Sequence, residues 1–415
     1  MIENKEKLER VILVAVDTGE SDVETSLNEL GELARTAGAE VVGRITQKLP
    51  FPNSATYIGS GKINELIQEI RWNEATGIIT DDELSPSQMY NLSNELDIKV
   101  MDRTMVILDI FAAHARTAEG KLQVELAQLQ YRLSRLTGKG TALSRLGGGI
   151  GTRGPGEKKL EQDRRVIRNR VAQLRKELAE VVEHRELTRR DRIKGRTPVF
   201  AIVGYTNVGK STLLNTLTGA EILAEDKLFA TLDTTTRVYE YKSGKGKQKI
   251  LMTDTVGFIR KLPHNLIDAF RSTLEEAKYA DYIIHVVDAS SSDRVQEMKV
   301  AYETLDMLGI TNDISGATGK KVITLFNKID KLENPDDRLG LIDKRAVKTV
   351  QISAKMGTGL DDIRMAIDEL LREDRQLIEK LIPYSEMSEV QRIKEYGEVV
   401  EEEYLEEGIR IKAYL

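Results

Sequence analysis

One eight-residue stretch constrains this chain more than any other: Gly204-Tyr205-Thr206-Asn207-Val208-Gly209-Lys210-Ser211. It follows the apolar run from Val199 to Val203, which reads as a buried strand, and precedes Thr212 to Leu217, which reads as a helix start. Strand, glycine-rich loop and helix are the context a phosphate-cradling loop needs. Backbone N–H groups of such a loop converge on phosphate oxygens, and the helix N-terminus adds the positive end of its dipole. Gly204 and Gly209 let the main chain wrap where a Cβ would clash. Lys210 then reaches the β- and γ-phosphates, and the Ser211 hydroxyl ligates Mg²⁺. An ordinary glycine turn would need neither the strand nor the helix.

Four further elements follow in order at the ends of expected strands. Asp254-Thr255-Val256-Gly257 places an Asp to hold Mg²⁺ through water and the Gly257 amide to bond a γ-phosphate. Asn327-Lys328-Ile329-Asp330 places Asp330 to accept both N1–H and the exocyclic amine of guanine, which adenine cannot match. Ser353-Ala354-Lys355 would back the base through a main-chain amide. The segment Phe229-Ala230-Thr231-Leu232-Asp233, continuing to Arg237, is where a mobile threonine should sense the γ-phosphate and complete the Mg²⁺ shell. Each alone is common and reads as a capped strand end. Together they predict a Mg²⁺-dependent guanine-nucleotide switch that takes GTP and GDP. Phe258 follows Gly257, where Ras-like GTPases keep a water-orienting Gln, so turnover should be slow without a partner or an ion. Asn207 either coordinates a potassium ion beside the phosphates or caps the loop.

The chain of 415 residues is long enough for several domains. Strand and helix signals alternate up to residue 110, with strands at 11–16, 40–45, 77–80 and 99–102 and a helix at 22–37, which implies a small parallel α/β domain. Within it, Tyr57-Ile58-Gly59-Ser60-Gly61-Lys62 reads as a tight turn, or as a short second phosphate turn. Residues 111–195 carry two apolar seams, Leu122, Leu126, Leu129, Leu133, Leu136 and Ile167, Val171, Leu174, Leu178, Val181, spaced four and three apart, which predict an antiparallel helical coiled-coil hairpin. Residues 196–372 read as a doubly wound P-loop domain with strands at 199–203, 237–241, 250–254, 282–288, 321–326 and 349–353. Residues 373–415 read as a small acidic α+β domain: a strand at 381–384, a helix to Tyr396, and a hairpin turning at 406–408. The expected fold class is therefore α/β and multidomain.

Charge separates the hairpin from the rest. The net charge is −6, but residues 111–195 hold 20 Lys and Arg against 10 Asp and Glu, a local balance of +10. A basic segment in an acidic chain points to a specific polyanion. The loop from Leu146 to Gly156 cannot be helical, with six glycines and a proline. Arg145, Arg153, Lys158 and Lys159 surround this tip, where RNA phosphates are the expected contact and base-stacking aromatics are absent. A solvated linker is the plainer reading. The chain has no cysteine, which removes disulfides, thiolate catalysis and cysteine zinc sites and fits a reducing cytoplasm. Met1 to Lys5 shows no signal-type apolar core, no run approaches the ~20 apolar residues that span a bilayer, and no amphipathic anchor or lipidation motif supports a membrane-associated reading.

Beyond these motifs the chain resembles the HflX family of ribosome-associated GTPases over nearly its whole length. The residues that carry the resemblance are Asp81-Asp82-Glu83-Leu84-Ser85-Pro86, Asp102-Arg103-Thr104, Ile107 to Phe111, Thr117 to Leu129, Gly149 to Glu157 and Asp163-Arg164-Arg165. The resemblance implies binding to the large ribosomal subunit and its RNA, with splitting of stalled or idle ribosomes and the hairpin approaching the peptidyl-transferase region. It implies Mg²⁺ ligation by Ser211 and Thr231, and nucleotide on 204–211, 229–233, 254–257, 327–330 and 353–355. It also implies a cytoplasmic, partly ribosome-associated protein, monomeric off the ribosome. Two departures stand out: Asp233-Thr234-Thr235-Thr236 where the family commonly has Asp-Pro-Thr-Thr, and Lys158-Lys159 where it often has Thr-Gln. The competing reading is an RNA-remodelling or assembly factor whose GTPase only times release.

Overall fold

Six consecutive apolar residues, Val11 to Val16, are buried throughout, which is what a central strand covered on both faces requires. In the computed structural model they form β1 (Glu9–Asp17). The structure describes residues 8–19, 22–144, 155–194, 197–219, 228–229, 234–243, 246–261, 276–311 and 319–415, without the side chains of 137–160, 182, 184–194, 335 and 395–396. The described residues divide into two compact units. One takes in residues up to 182 together with 228–229 and 260–261, and the other takes in the rest.

The first unit is built on β1, β2 (Ala39–Lys48), β3 (Gly77–Thr80) and β4 (Lys99–Asp102), all parallel, in the order β2-β1-β3-β4. Parallel neighbours require crossovers, supplied by α1 (Val23–Thr36), α2 (Ser60–Trp72) and α3 (Pro86–Leu96). Local chemistry sets the helix starts. The Asp22 side chain accepts from the Glu24 amide, and Ser85 with Gln88 forms a reciprocal capping box ahead of Pro86. The chain runs from β1 outward to β2 and then returns to β3 on the other side, so the order reverses between β1 and β3.

After α4 (Arg103–His114), the hairpin consists of α5 (Ala118–Ser144) and α6 (Pro155–Lys194). Its seam buries Leu126, Val171 and Leu174, flanked by Leu122, Leu129, Ile167 and Leu178. Arg170 grips Glu125 with two hydrogen bonds of 2.8 and 2.9 Å. The seam is fastened to the sheet at Asp102, whose buried carboxylate accepts from Tyr131 Oη at 2.8 Å and Arg135 Nη2 at 2.6 Å. Pro155 and Gly156 fall inside α6 rather than in the loop expected there, because proline at the first helical position loses no hydrogen bond.

The second unit holds a sheet of β5 (Val199–Gly204), β6 (Thr235–Ser243), β7 (Gly246–Asp254), β8 (Tyr282–Asp288), β9 (Val322–Asn327) and β10 (Lys348–Gln351). Their order is β10-β9-β8-β5-β7-β6, parallel except for the edge pair β6/β7. Among the described residues the unit's longer helices include α7 (Lys210–Thr218), α8 (Arg294–Met307) and α9 (Leu360–Asp374). β10 stops at Gln351, so Ser353 stands in the loop beyond it. A three-stranded antiparallel sheet follows, made of β11 (Leu377–Ile382), β12 (Glu398–Leu405) and β13 (Gly408–Tyr414), with α10 (Met387–Tyr396) between its first two strands. Its order is β11-β13-β12. α10 sets Val390 and Ile393 on Ile409, Ile411 and Ala413. The strand expected at 381–384 lies earlier. Pro383, with no N–H, ends the ladder, and Tyr384–Glu386 form a 3₁₀ turn. Among the described residues no helix is long and apolar enough to cross a membrane.

Leu174 is fully buried in a seam with few other apolar residues. Leu174→Ala should therefore cost about 3 kcal/mol, read as a lowered urea midpoint by circular dichroism at 222 nm in the full chain.

Candidate functional site

The loop 204–211 joins β5 to α7, and its shape is fixed by what lies beneath it. A Cβ on Gly204 (φ +149) would sit 2.2 Å from the Val286 carbonyl oxygen of β8, so only glycine lets the two backbones meet. Lys210 is buried, and its ammonium donates to the carbonyls of Tyr205 at 2.7 Å and Gly204 at 3.2 Å. Burial lowers its pKa to about 8, against the pull of Asp254, with Lys328 adding repulsion. Val208 is buried, and Asn207 is exposed with φ +60.

Ser211, at the start of α7, donates from Oγ to Asp254 Oδ2 at 2.7 Å. Asp254 ends β7 and is buried. A hydroxyl and a carboxylate converging at the mouth of a phosphate loop form an all-oxygen donor set, which suits a hard cation such as Mg²⁺. Among the described residues no group of three or more His, Cys, Asp or Glu gathers as a metal cluster. Beyond Asp254, Thr255 turns inward and donates from Oγ1 to Ile202 O at 2.7 Å, and Val256 is buried. Phe258 closes on the loop: its amide donates to Gly204 O at 3.0 Å, and the Thr206 amide donates to Phe258 O at 2.8 Å.

The base side is organised by Asn327, the buried last residue of β9. Its Nδ2 donates to Val208 O at 2.8 Å, and its Oδ1 accepts from the Ala354 amide at 2.9 Å. That engagement occupies the Ala354 amide, so in this arrangement it is not the main-chain donor expected toward a base. Ile329 is buried in the following turn. Asp330 is exposed, and one of its oxygens accepts from Ser353 Oγ at 2.5 Å, which fixes the plane of the carboxylate. Lys355, which follows Ala354, is exposed. Lys328 takes an unusual left-handed conformation, φ +64, that carries its ammonium to Asn207 O at 2.7 Å and to Asp288 at 2.7 Å.

The structure thus brings together 204–211, 254–258, 327–330 and 353–354. Phe229 belongs to the first unit, where it packs edge-on against Phe111 of α4 with centroids 4.7 Å apart. Ala230, Thr231, Leu232, Asp233, Arg145 and Arg153 lie outside the described residues, as do the side chains of Lys158 and Lys159 in α6. Sequence reasoning missed Asp288 and the Phe258 backbone bridge. Asp288 was findable, since it closes an apolar strand on the same edge as Asp254 and Asn327. In the N-terminal glycine turn, the Gly59 amide donates to Gln47 Oε1 at 2.8 Å and Lys62 pairs with Glu65 at 2.8 Å, so those two donors are satisfied within the domain.

A phosphate loop on a mostly parallel sheet, with an exposed Asp330 beyond β9 and a buried carboxylate behind the loop serine, defines a P-loop GTPase. Three family profiles match in series: "GTP-binding GTPase N-terminal" on residues 24–112, "GTP-binding GTPase Middle Region" on 114–192 and "50S ribosome-binding GTPase" on 199–328. The GTPase HflX of Lacrimispora saccharolytica is 55% identical over 100% of this chain and 95% of its own length. That of Caldanaerobacter subterraneus is 51% identical over 98% and 90%. A solved GTP-binding protein from Sulfolobus solfataricus in complex with GDP aligns at 27% identity over 88% of this chain and 98% of that one, with a TM-score of 0.44. The chain belongs to the HflX family of GTPases, and its chemistry is the hydrolysis of GTP. The fold implies a divalent metal bound with the nucleotide.

Phosphate favours the charged form of Lys210, so binding should take up a proton above about pH 8. GDP affinity should fall as pH rises through that value, and calorimetry in two buffers of different ionisation enthalpy should register the uptake.

Proposed function

We propose that this GTPase binds the large ribosomal subunit and, charged with GTP, separates stalled or idle ribosomes into subunits. One observation carries the reading: a match to a profile described as a 50S ribosome-binding GTPase, in a chain whose segment 111–195 holds a balance of +10 within a net −6. A cationic hairpin gains affinity from displacing counterions on RNA phosphates. Arg145, Arg153, Lys158 and Lys159 are the proposed contacts.

At the nucleotide, Lys210 neutralises β- and γ-phosphate charge, Asp330 reads the guanine edge, and Gly257 offers its amide to the γ-phosphate. Mg²⁺, held by Ser211 and Thr231, would draw charge from the phosphate oxygens when bound. Asn207 is exposed at the loop, where it would help hold a K⁺ ion beside the phosphates. With Phe258 in place of a water-orienting side chain, turnover is slow alone and rises on the ribosome.

Two experiments test this. Incubated with intact ribosomes and GTP, the protein should release free subunits on a sucrose gradient, and raised salt should abolish the effect steeply. Binding to precursor particles alone would instead favour an assembly factor. Asp330→Asn should weaken GTP binding on the order of a thousandfold by losing the paired acceptors, while xanthosine triphosphate, which offers an acceptor in place of the amine, should bind better than GTP.

A further inference from the structure

In open parallel sheets, ligands sit beyond the carboxyl ends of the strands where the strand order reverses. In the first unit that place is the crevice at the ends of β1 and β3. Its walls are strongly acidic. Asp81 follows β3 and is buried, and Asp82 stands beside it with its carboxylate accepting from Tyr57 Oη at 2.6 Å. Arg103, almost fully buried, donates to Asp81 at 2.6 Å and to Glu29 at 2.5 Å. Two carboxylates, Asp81 and Glu29, face this one guanidinium, and Asp82 adds a third negative charge at the partly exposed rim, where a further cation is attracted. That cation is Lys261, whose ammonium lies 2.5 Å from Asp81 Oδ2 and 2.6 Å from Asp82 Oδ1.

We infer that this crevice is a binding site for the chain's own Lys261, and that the resulting ion pair is a latch on the segment behind the γ-phosphate-sensing glycine. Lys261 follows Gly257 by four residues. Gly257 is packed tightly on the loop: a Cβ there would lie 2.8 Å from Thr206 Cγ2 and 2.9 Å from Lys210 Nζ. Phe258 adds two backbone hydrogen bonds to the same loop. A γ-phosphate seated on Lys210 needs the space that Gly257 crowds, so 257–258 must yield to it, three residues ahead of the latched lysine. GDP makes no such demand. Lys261 is thus a positioning residue for the segment 257–258, and it opposes GTP more than GDP. This rests on the GTP-switch reading proposed above.

The test uses the full chain and fluorescent GDP and non-hydrolysable GTP analogues. Lys261→Ala should shift the GTP-to-GDP affinity ratio toward GTP by about tenfold, leaving GDP affinity and the melting temperature near wild type. Lys261→Arg should restore the wild-type ratio. Asp82→Asn should shift it the same way, and the double variant should add little to either single one. Equal changes for both nucleotides, or full additivity in the double variant, would overturn the latch. So would a wild-type ratio in well-folded Lys261→Ala and Asp82→Asn. If the wild-type protein binds both nucleotides alike and ribosomes respond alike to both forms, the switch reading itself fails.

Discussion

A single buried carboxamide ties the nucleotide site together. Asn327 holds Val208 of the phosphate loop with its amide and the Ala354 backbone with its oxygen, so loops that leave β5, β9 and β10 share one side chain. The fit leaves no slack: a Cβ on Gly209 would lie 2.4 Å from Asn327 Nδ2. A buried amide with donor and acceptor both engaged is worth more in place than its parts suggest, because removing it would orphan two backbone groups at once. The loop 204–211 and the segment that runs on to Asp330 are therefore not separate modules, because one residue holds both.

Much of this was legible in the sequence because the relevant residues sit at strand ends, and strand ends are where apolar runs stop. Val199 to Val203 and Tyr282 to Val287 announce buried strands, and the residue after each run, Gly204 or Asp288, is the one that reaches the site. The four strands of the first unit were legible for the same reason. What escaped was geometry that no periodicity encodes. Lys328 and Asn207 each adopt a left-handed backbone although neither is glycine, and the bond between them follows from that pair of conformations. The Phe258 bridge is a backbone interaction and leaves no trace in residue type. Strand limits shifted where proline intervened, as at Pro383, or where a hairpin lengthened an edge pair, as in β6 and β7.

Buried charge is used differently in the two units. In the first, Asp102 caps α4 through the Met105 amide and also receives Tyr131 and Arg135 of the hairpin, so one carboxylate fixes the angle at which α5 leaves the sheet. In the second, Asp343 collects hydroxyls from Tyr302 and Thr324, and these with His285 hold its carboxyl far below the usual range. The former orients a long arm. The latter stiffens the floor under β8 and β9, on which the nucleotide loops rest.

The strand order of the small three-stranded sheet has a consequence for biogenesis. β13 is the latest of the three in the chain and lies in the middle, so β11 and β12 have no ladder to join until it emerges. During synthesis both flanking strands, and the apolar face of α10, must wait unsheltered while the GTPase sheet, whose strands all come earlier, can already close. The module thus takes its fixed form only once its middle strand has emerged, later than the GTPase sheet before it.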